Sequence, residues 1–409
     1  MKIEKDKDLN IFMGKATNFV AFFCGLFVLL PFKLKPYTVF AFVLLALFSK
    51  IKFKNRLKCD WKSILIYNFF TISSALSLFY SNDLHRGFTI LGRYVPLLLI
   101  PIAYSFLSNY TKQKFNQVFI KTFILASCLY CVLIFIYLFK LGYFSNQHDL
   151  SYCYSYITFE FYGINEHPIY ISVYFSIALL LLLIKGFENR IVNVTLFLML
   201  ISGLFILSRK GPIISFFIVS FILLLLKKER LQLYKLILVF IGVFSVSLFI
   251  PEIKNRFLEV LDTNKVSNNS ETSTGIRKIL WESSWELIQK SDYLGYGIGD
   301  VQEVLSKQLA EDGFIILAKE NYNAHNEYLQ IGLSIGFLGF LLFLFSLLFF
   351  VISFIKKRNS GGIVFFLFFI FVFFFESFLE RQNGIIIYSF ITCMFIFSSD
   401  FAKNLPDET

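Results

Sequence analysis

The chain has 409 residues, of which 56% are hydrophobic and 16% are charged, and its net charge is +11. Soluble domains average about 45–50% apolar and about 25% charged residues, so a disordered chain, a disulfide-rich secreted module and a typical cytosolic enzyme are excluded. The composition predicts a polytopic membrane protein. Two of the six cysteines, Cys128 and Cys131, form a C-x-x-C inside an apolar run, where core packing is favoured over a metal or redox role.

Apolar segments long enough to cross about 30 Å of hydrocarbon set the predicted architecture. The predicted fold class is an all-α polytopic membrane protein with about 12 transmembrane helices. The predicted spans are Thr17–Phe32, Tyr37–Lys50, Ser63–Tyr80, Phe88–Leu107, Val118–Phe139, His167–Ile184, Ile191–Leu207, Gly211–Leu226, Leu231–Ile250, Tyr328–Ile355, Ile363–Leu379 and Ile385–Ser398.

The basic residues predict the orientation of these spans. With the N-terminus in the cytoplasm, 23 of the 39 Lys and Arg residues fall on the inner side, 8 fall at the outer connections and 8 fall in one long loop. This excess follows the positive-inside rule. Both termini are therefore predicted to be cytoplasmic. The first span lacks a small-residue cleavage site and is expected to remain as a signal anchor.

One long connection, residues 251–327, contains no predicted span and is expected to face outward. It has 13 Asp and Glu against 8 Lys and Arg, with predicted helices at 276–289 and 301–310. A shorter outer loop covers 140–166, and long loops between short ones commonly carry function. The glycine-rich run 295–299 lacks the βαβ context of a nucleotide site, so we interpret it as a tight turn that brings the loop back over the membrane surface.

Charged groups within apolar sequence are candidates for a site at the outer ends of the spans. Arg209 and Lys210 stand between two spans with almost no loop. Cations at membrane depth are costly and commonly mark functional sites, although such pairs also snorkel to the interface. Arg93 lies near the outer end of the fourth span. Glu376 and Glu380 are one helical turn apart in the eleventh span, where pairing with the arginines is the structural alternative.

His325 stands where the long loop re-enters the membrane. It is followed by Gly332, Gly336 and Gly339, whose spacing places them on one helical face and allows close helix approach. A histidine with an ordinary pKa is mostly neutral at periplasmic pH and can accept a proton, although a structural role is also typical of a single interfacial histidine.

In their order along the chain, these elements resemble the O-antigen ligase and O-antigen polymerase family of bacterial envelope proteins. The residues that carry the resemblance are Ser208-Arg209, Thr274-Gly275-Ile276-Arg277 with Trp281, Leu294-Gly295-Tyr296-Gly297-Ile298-Gly299, His325-Asn326 with Tyr328-Leu329-Gln330 and Gly336, and Glu376, Glu380 and Gly384. Earlier in the chain, Asn165-Glu166-His167-Pro168-Ile169-Tyr170 is similar to a segment of some polymerase-like members.

The resemblance divides the chain into three parts. Residues 1–190 form an N-terminal transmembrane half, residues 191–399 form the region related to O-antigen ligases, with the periplasmic loop 251–327, and residues 400–409 form a cytoplasmic tail. The implied fold is similar to that of the C-type glycosyltransferases. The implied location is the bacterial inner membrane, with the active site on its periplasmic face.

The resemblance also implies a metal-independent, inverting glycosyltransferase that needs no cofactor and uses a glycan on undecaprenyl diphosphate as donor. The family's outer-face arginines carry over to Arg209 and Arg277, with Arg256 and Lys278 as nearby alternatives to the second. The loop histidine carries over to His325, which would accept the proton of the attacking hydroxyl. Guanidinium groups bind phosphate oxygens in bidentate geometry, so two arginines suit a diphosphate leaving group.

Further residues are expected to contact substrate, and no metal ligands are expected. The predicted substrate-binding residues are Lys210, Arg93, Asn326, Tyr328, Glu376, Glu380 and His167. The expected partners are the lipid-linked glycan donor, a glycan or lipid A–core acceptor and membrane lipids, without nucleic acid.

Several activities remain open at this point. A polymerase moves a growing chain onto a new lipid-linked repeat, a ligase moves the finished chain onto lipid A–core, and a protein O-glycosyltransferase uses a protein acceptor. The segment around His167 and Pro168 favours a polymerase. A polysaccharide or lipid transporter also suits twelve spans, but the halves show no evident repeat and the polar groups gather on one face. A scaffold or sensor is the remaining alternative.

Overall fold

The computed structural model describes residues 2–52, 59–145, 148–161, 163–249, 251–258 and 273–398. The predicted tail, residues 400–409, lies outside them. Over the described residues the chain forms 18 α-helices and no β-strand. The helices are α1 (Lys2–Gly25), α2 (Pro36–Lys52), α3 (Trp61–Tyr67), α4 (Phe69–Ser77), α5 (Leu84–Phe106), α6 (Asn109–Lys140), α7 (Leu150–Phe159), α8 (Pro168–Ile184), α9 (Arg190–Leu207), α10 (Lys210–Leu226), α11 (Arg230–Ser247), α12 (Pro251–Leu258), α13 (Ser273–Lys290), α14 (Val301–Glu311), α15 (Ile315–Lys319), α16 (Glu327–Lys356), α17 (Ser360–Phe375) and α18 (Gln382–Phe397).

The predicted class, an all-helical polytopic membrane protein, is confirmed. Six helical segments are long and apolar enough to cross a membrane, and five shorter apolar helices accompany them. Every predicted span coincides with one of these helices or, for the third span, with the pair α3 and α4. The number of twelve crossings stays a prediction.

The third predicted span differs from the structure because the helix breaks at Asn68. The Asn68 side chain is buried and donates from Nδ2 to the carbonyl of Ile64 at 2.9 Å. The backbone at Asn68 leaves the helical region, with φ −92° and ψ 7°. A buried amide that bonds to the preceding turn in this way competes with the regular helical pattern.

Helix α8 lies at the centre of the bundle, since nearly all of its side chains are buried. It packs against α6, α9 and α10, while α17 packs against α10, α16 and α18. Leu, Ile and Phe side chains fill these contacts, and a helix that is apolar on all sides is typical of the interior of a membrane bundle. The polar residues that flank these helices are consequently confined to their ends.

The connections between helices gather at two opposite ends of the bundle. At one end, the Asp300 carboxylate accepts hydrogen bonds from the backbone N–H groups of Asn82 and Asp83 at 2.6 Å and 2.7 Å. At the other end, the Ser49 hydroxyl accepts a hydrogen bond from the N–H of Ser108 at 3.2 Å. The connections predicted to be outer thus contact one another, and so do connections predicted to be inner.

Helices α13 to α15 form a small lobe with its own apolar core, which we call the loop lobe (residues 273–326). Its glycine-rich turn bonds directly to the backbone of α16. Tyr296 N donates to Leu333 O, Gly297 N to Ser334 O and Phe337 N to Tyr293 O, each at 2.8 Å. The predicted tight turn is therefore present, and it fastens the lobe to a membrane helix.

Gly336 interrupts α16 where the glycine-rich turn bonds to its backbone. Its backbone has φ 69° and ψ −174°, so the predicted single span is broken there and Gly332, Gly336 and Gly339 do not lie on one continuous helical face. A Cβ on Gly336 would lie 2.3 Å from the carbonyl oxygen of Leu294. The predicted close approach at the glycines is present, but Gly336 approaches the backbone of the loop lobe and not a second helix.

We expect Gly336→Ala to destabilise the protein by about 1–3 kcal/mol or more, because the new methyl group meets backbone and the φ angle is unfavourable for alanine. The midpoint of thermal unfolding in detergent measures this effect. Gly92→Ala is the matched control, since no atom lies within 4 Å of its added Cβ. Equal midpoints for the two variants would contradict the described role of Gly336.

Candidate functional site

His325 is positioned by the turn that leads into α16. Its backbone has φ 45°, and its N–H donates to Asn323 Oδ1 at 3.0 Å. The next residue, Asn326, caps α16 by accepting the N–H of Tyr328 at 2.9 Å, and its own N–H donates to Ser377 Oγ at 3.2 Å. Asn326 therefore fixes the backbone beside His325, and its predicted contact with substrate stays a prediction.

The imidazole of His325 meets the carboxylate of Glu376. Nδ1 and Oε2 are 3.1 Å apart, and the His325 and Glu376 side chains are 24% and 7% exposed. Burial alone would raise the pKa of Glu376, but the charge of His325, its hydrogen bond and the charges of Arg277 and His167 outweigh it and lower this pKa to about 2. An ionised carboxylate only accepts hydrogen bonds, so Nδ1 donates to it and Nε2 is left as the acceptor of neutral His325.

Arg209 lies at the start of α10, after Ser208 has ended α9 with a left-handed backbone at φ 48°. Its guanidinium carbon lies 5.0 Å from the centre of the Tyr154 ring. The Tyr154 hydroxyl is 3.1 Å from Ser208 Oγ, so α7 contacts both residues of the turn. A guanidinium over an aromatic face is held in orientation by the cation–π contact.

His167 caps α8 and links the charged groups. Its Nδ1 accepts the N–H of Ile169 at 3.4 Å, so the proton of the neutral ring is on Nε2. Burial, together with the charges of Arg209, Arg381 and His325, lowers the pKa of His167 to about 3, although the charge of Glu376 acts in the opposite direction. The charges of Arg209, Arg381, His325 and Glu376 thus all act on this one imidazole.

Arg277 lies on α13 and belongs to the same group, since its charge lowers the pKa of Glu376. The neighbouring Lys278 instead pairs with Glu282 along the helix at 3.8 Å, with both side chains exposed. The alternative Arg256 is a residue whose side chain lies outside the described part of the structure. Of the two described candidates, Arg277 is the one whose charge acts on Glu376.

We call the resulting set the His325 cluster. It consists of the contacting pair His325 and Glu376, of His167, and of the arginines whose charges act on His167 or Glu376, which are Arg209, Arg277 and Arg381.

Helix termini add to the positive charge of this cluster. His167, Arg209, Asn326 and Arg381 are the N-caps of α8, α10, α16 and α18. The N-terminus of a helix carries a partial positive charge and offers free N–H groups, which favour anions. Lys210 adds a further cation and donates to Thr274 Oγ1 on α13 at 3.3 Å. The arrangement suits a ligand with several phosphate oxygens.

Two predicted substrate residues form a second group beside the cluster. Arg93 Nη1 donates to the backbone carbonyl of Glu380 at 3.4 Å. Burial raises the pKa of Glu380, against the opposing effects of Arg93, a hydrogen bond from Gln330 and Arg86. The prediction that Glu376 and Glu380 lie one helical turn apart in a span is wrong, because α17 ends at Phe375 and the chain then turns.

Tyr328, another predicted substrate residue, contacts α17. Its hydroxyl donates to the carbonyl of Ile370 at 2.9 Å, and its ring packs 4.7 Å from that of Phe374. These contacts fix α16 against α17 and satisfy the hydroxyl, so Tyr328 has a structural position.

A buried ion pair beside His167 was missed from the sequence. Lys35, at the start of α2, pairs with Glu166, which also accepts from Asn383 Nδ2 at 2.7 Å and from the Tyr174 hydroxyl at 3.1 Å. Both charged side chains are almost fully buried. The one signal in the sequence was the position of Glu166 directly before His167.

The fold and the cluster define a polytopic membrane protein with a group of arginine, histidine and glutamate side chains at one end of its bundle. Within the described residues, no three His, Cys, Asp or Glu side chains are placed to hold a metal ion together.

Residues 194–344 match the family described as O-antigen ligase, which confirms the resemblance to the O-antigen ligase and polymerase family. Arg209, Arg277 and His325 all lie in the matched region. A Haemophilus influenzae protein described as uncharacterized is 28% identical over 131 residues, or 30% of this chain and 33% of that protein. This chain thus spans about a third of the length of the relative it matches.

We expect the protein with His167→Gln to lose less of its free energy of unfolding than the unaltered protein as pH falls. In the folded protein the pKa of His167 is about 3 against an ordinary 6.5, so the unfolded chain binds a proton between these values and stability falls as pH drops. The slope from this group is at most about 1.4 kcal/mol per pH unit. Thermal unfolding at pH 7, 6, 5 and 4 measures it.

The exposed His148, at the same end of the bundle, is the control for this measurement. His148→Gln should keep the slope of the unaltered protein. If His167→Gln also keeps that slope, the buried, neutral state of His167 is wrong.

Proposed function

We propose that this protein transfers glycan from an undecaprenyl-diphosphate-linked donor to a glycan acceptor, as a polymerase of O-antigen or another surface polysaccharide. The observation that carries the proposal is the His325–Glu376 pair at 3.1 Å, with the charges of Arg209 and Arg277 acting on the neighbouring His167 and Glu376. The match of residues 194–344 to the O-antigen ligase family supports the same class of reaction.

The cations of the cluster suit the departure of a lipid diphosphate. As the bond between the sugar C1 and the phosphate oxygen breaks, negative charge develops on the diphosphate. Arg209 and Arg277 would bind these oxygens as bidentate donors, and the first N–H groups of α10 and α18 would add partial positive charge. Charges fixed in advance near a low-dielectric membrane stabilise such a transition state more strongly than they would in water.

The His325–Glu376 pair suits activation of the acceptor. The acceptor hydroxyl attacks C1 while its proton passes to Nε2 of His325, and Glu376 stabilises the imidazolium through Nδ1. One displacement from the face opposite the diphosphate inverts the anomeric centre. The products are the extended glycan and undecaprenyl diphosphate. The donor bond supplies the free energy, so the proposal includes no cofactor.

The proposed orientation places this chemistry at the periplasmic face of the inner membrane. The positive-inside distribution of Lys and Arg supports cytoplasmic termini, which brings the end of the bundle with the cluster outside. Lipid-linked donor and acceptor would reach the cluster from the outer leaflet.

A deletion strain examined on a polysaccharide gel tests the function. For a polymerase we expect single repeat units attached to lipid A–core, because chain growth has stopped. Ligation to lipid A–core is the second candidate, since the matched family is described as O-antigen ligase. If the protein is a ligase, its deletion would instead leave long chains on undecaprenyl diphosphate. An unchanged polysaccharide pattern would contradict both.

We expect His325→Ala to lower the rate of transfer roughly 10²–10⁴-fold, because the proton acceptor is lost. Arg209→Lys should also lower it, because a single ammonium does not reproduce the two-pronged contact with phosphate. Product length and yield in the complemented deletion strain measure both effects, and His85→Ala, an exposed histidine at the same end, is the control. Normal product from both variants would refute the assigned roles.

A further inference from the structure

Tyr154 of α7 contacts the turn that carries Arg209 with two parts of its side chain. Its ring lies under the guanidinium, whose carbon is 5.0 Å from the ring centre. Its hydroxyl donates to the carbonyl of Ile206 and lies 3.1 Å from Ser208 Oγ. Tyr154 is only 5% exposed, so both contacts are buried. The tyrosine also lies outside residues 194–344, the region that matches the O-antigen ligase family.

The hydroxyl of Tyr154 stabilises the end of α9. The last four carbonyl groups of a helix have no partner within that helix, and the carbonyl of Ile206 is one of them because α9 ends at Leu207. Ser208 then has a left-handed backbone with φ 48°, which is unfavourable for a residue other than glycine. The contacts of the hydroxyl hold this turn, from which the Arg209 side chain extends.

Helix α7 is fixed in the bundle by the same face that carries Tyr154. Spacings of three and four residues place side chains on one face of a helix. The residues on this face, all of them buried, are Leu150, Cys153, Tyr154 and Ile157. Asp149 caps the helix by accepting the N–H of Tyr152 at 2.8 Å. The ring of Tyr154 is therefore held by a packed and capped helix.

The ring of Tyr154 attracts the guanidinium of Arg209 without supplying an anion. A cation within about 6 Å of the centre of an aromatic ring is attracted to the ring face. A carboxylate in the same place would compete with a phosphate for the guanidinium, whereas a ring does not. Two-pronged contact with phosphate depends on the direction of the guanidinium fork. A residue that fixes this direction therefore strengthens phosphate binding without touching the phosphate.

We propose that the ring of Tyr154 is a positioning element, which orients Arg209 for two-pronged contact with the donor diphosphate. This inference rests on the proposed glycan transfer, in which Arg209 binds that diphosphate. It assigns part of the site to α7, in the N-terminal half of the chain. Because the ring already restricts the guanidinium, less conformational freedom is lost when the diphosphate binds.

Two substitutions separate the ring from the hydroxyl. Tyr154→Phe removes the hydroxyl and keeps the ring, whereas Tyr154→Leu removes both. We expect Tyr154→Leu to weaken binding of undecaprenyl diphosphate roughly 3- to 30-fold and Tyr154→Phe to weaken it less than about 2-fold, because phenylalanine still offers a ring face. Native mass spectrometry of the full-length protein in detergent micelles measures the affinity. Equal losses in the two variants would overturn the role of the ring.

Tyr152→Leu is the matched control on the same helix. Tyr152 lies two residues before Tyr154, on the opposite side of α7, and is 38% exposed. This variant should bind undecaprenyl diphosphate like the unaltered protein. A loss as large as that of Tyr154→Leu would mean that any change in α7 disturbs the site, and the specific role of Tyr154 would be wrong.

Variants of the arginines show whether Tyr154 acts through Arg209. R209Q should weaken binding roughly 10- to 100-fold, because charge-assisted bonds are lost. R209Q/Y154L should bind within about 2-fold of R209Q, since no guanidinium is left to orient. In R277Q/Y154L the full effect of Y154L should remain. If Y154L weakens binding equally with and without Arg209, the ring acts on something else and the inference is contradicted.

These measurements distinguish failure of the inference from failure of the proposed function. If R209Q weakens binding and Y154L does not, Tyr154 has no positioning role and the proposed function is unaffected. If R209Q binds as tightly as the unaltered protein, Arg209 does not hold the diphosphate, and its role in the proposed function is refuted together with the inference.

Transfer kinetics provide a second readout. Y154L should lower kcat/KM for the donor by the factor seen in binding and change KM for the acceptor by less than about two-fold. An equal effect on both substrates would contradict an action through the donor diphosphate.

Discussion

The hydrogen bond between His325 and Glu376 is the contact on which the site depends. The two residues are 51 positions apart, and each stands at the end of a membrane helix, one before α16 and one after α17. They meet because α16 and α17 pack together as an antiparallel pair, so the start of one helix lies beside the end of the other. An apolar packing interaction thereby fixes the geometry of a polar pair, in which Nδ1 of the imidazole faces the carboxylate.

Hydropathy and charge predicted the helices well, because burial in lipid imposes long apolar segments that are visible in one sequence. The interruptions were not visible. The break at Gly336 exists because the loop lobe bonds to the α16 backbone there, and the end of α17 at Phe375 places Glu376 against His325. Both interruptions depend on contacts with residues far away in the chain, which a local sequence pattern does not reveal.

The sequence predicted which residue types form the candidate site, but it did not predict which of them contact one another. Arg209 and His325 stood out as polar residues in apolar surroundings. The residues themselves did not distinguish Arg277 from Lys278, because neighbouring residues on a helix face different directions. In the folded chain the charge of Arg277 acts on Glu376, whereas Lys278 pairs with Glu282. Tyr154 was missed for a related reason, because a tyrosine in an outer loop is unremarkable until its ring is found under a guanidinium.

The pair formed by Lys35 and Glu166 has a consequence for the order in which the chain assembles. The two residues are separated by 131 positions, and at about 5–20 residues per second the ribosome needs roughly 7–26 s to make that stretch. Burying the Lys35 ammonium without this carboxylate would be costly in a low-dielectric interior. The final position of Lys35 therefore depends on a residue that is synthesised much later, and the ion pair joins an early and a late segment of the chain in one folded unit.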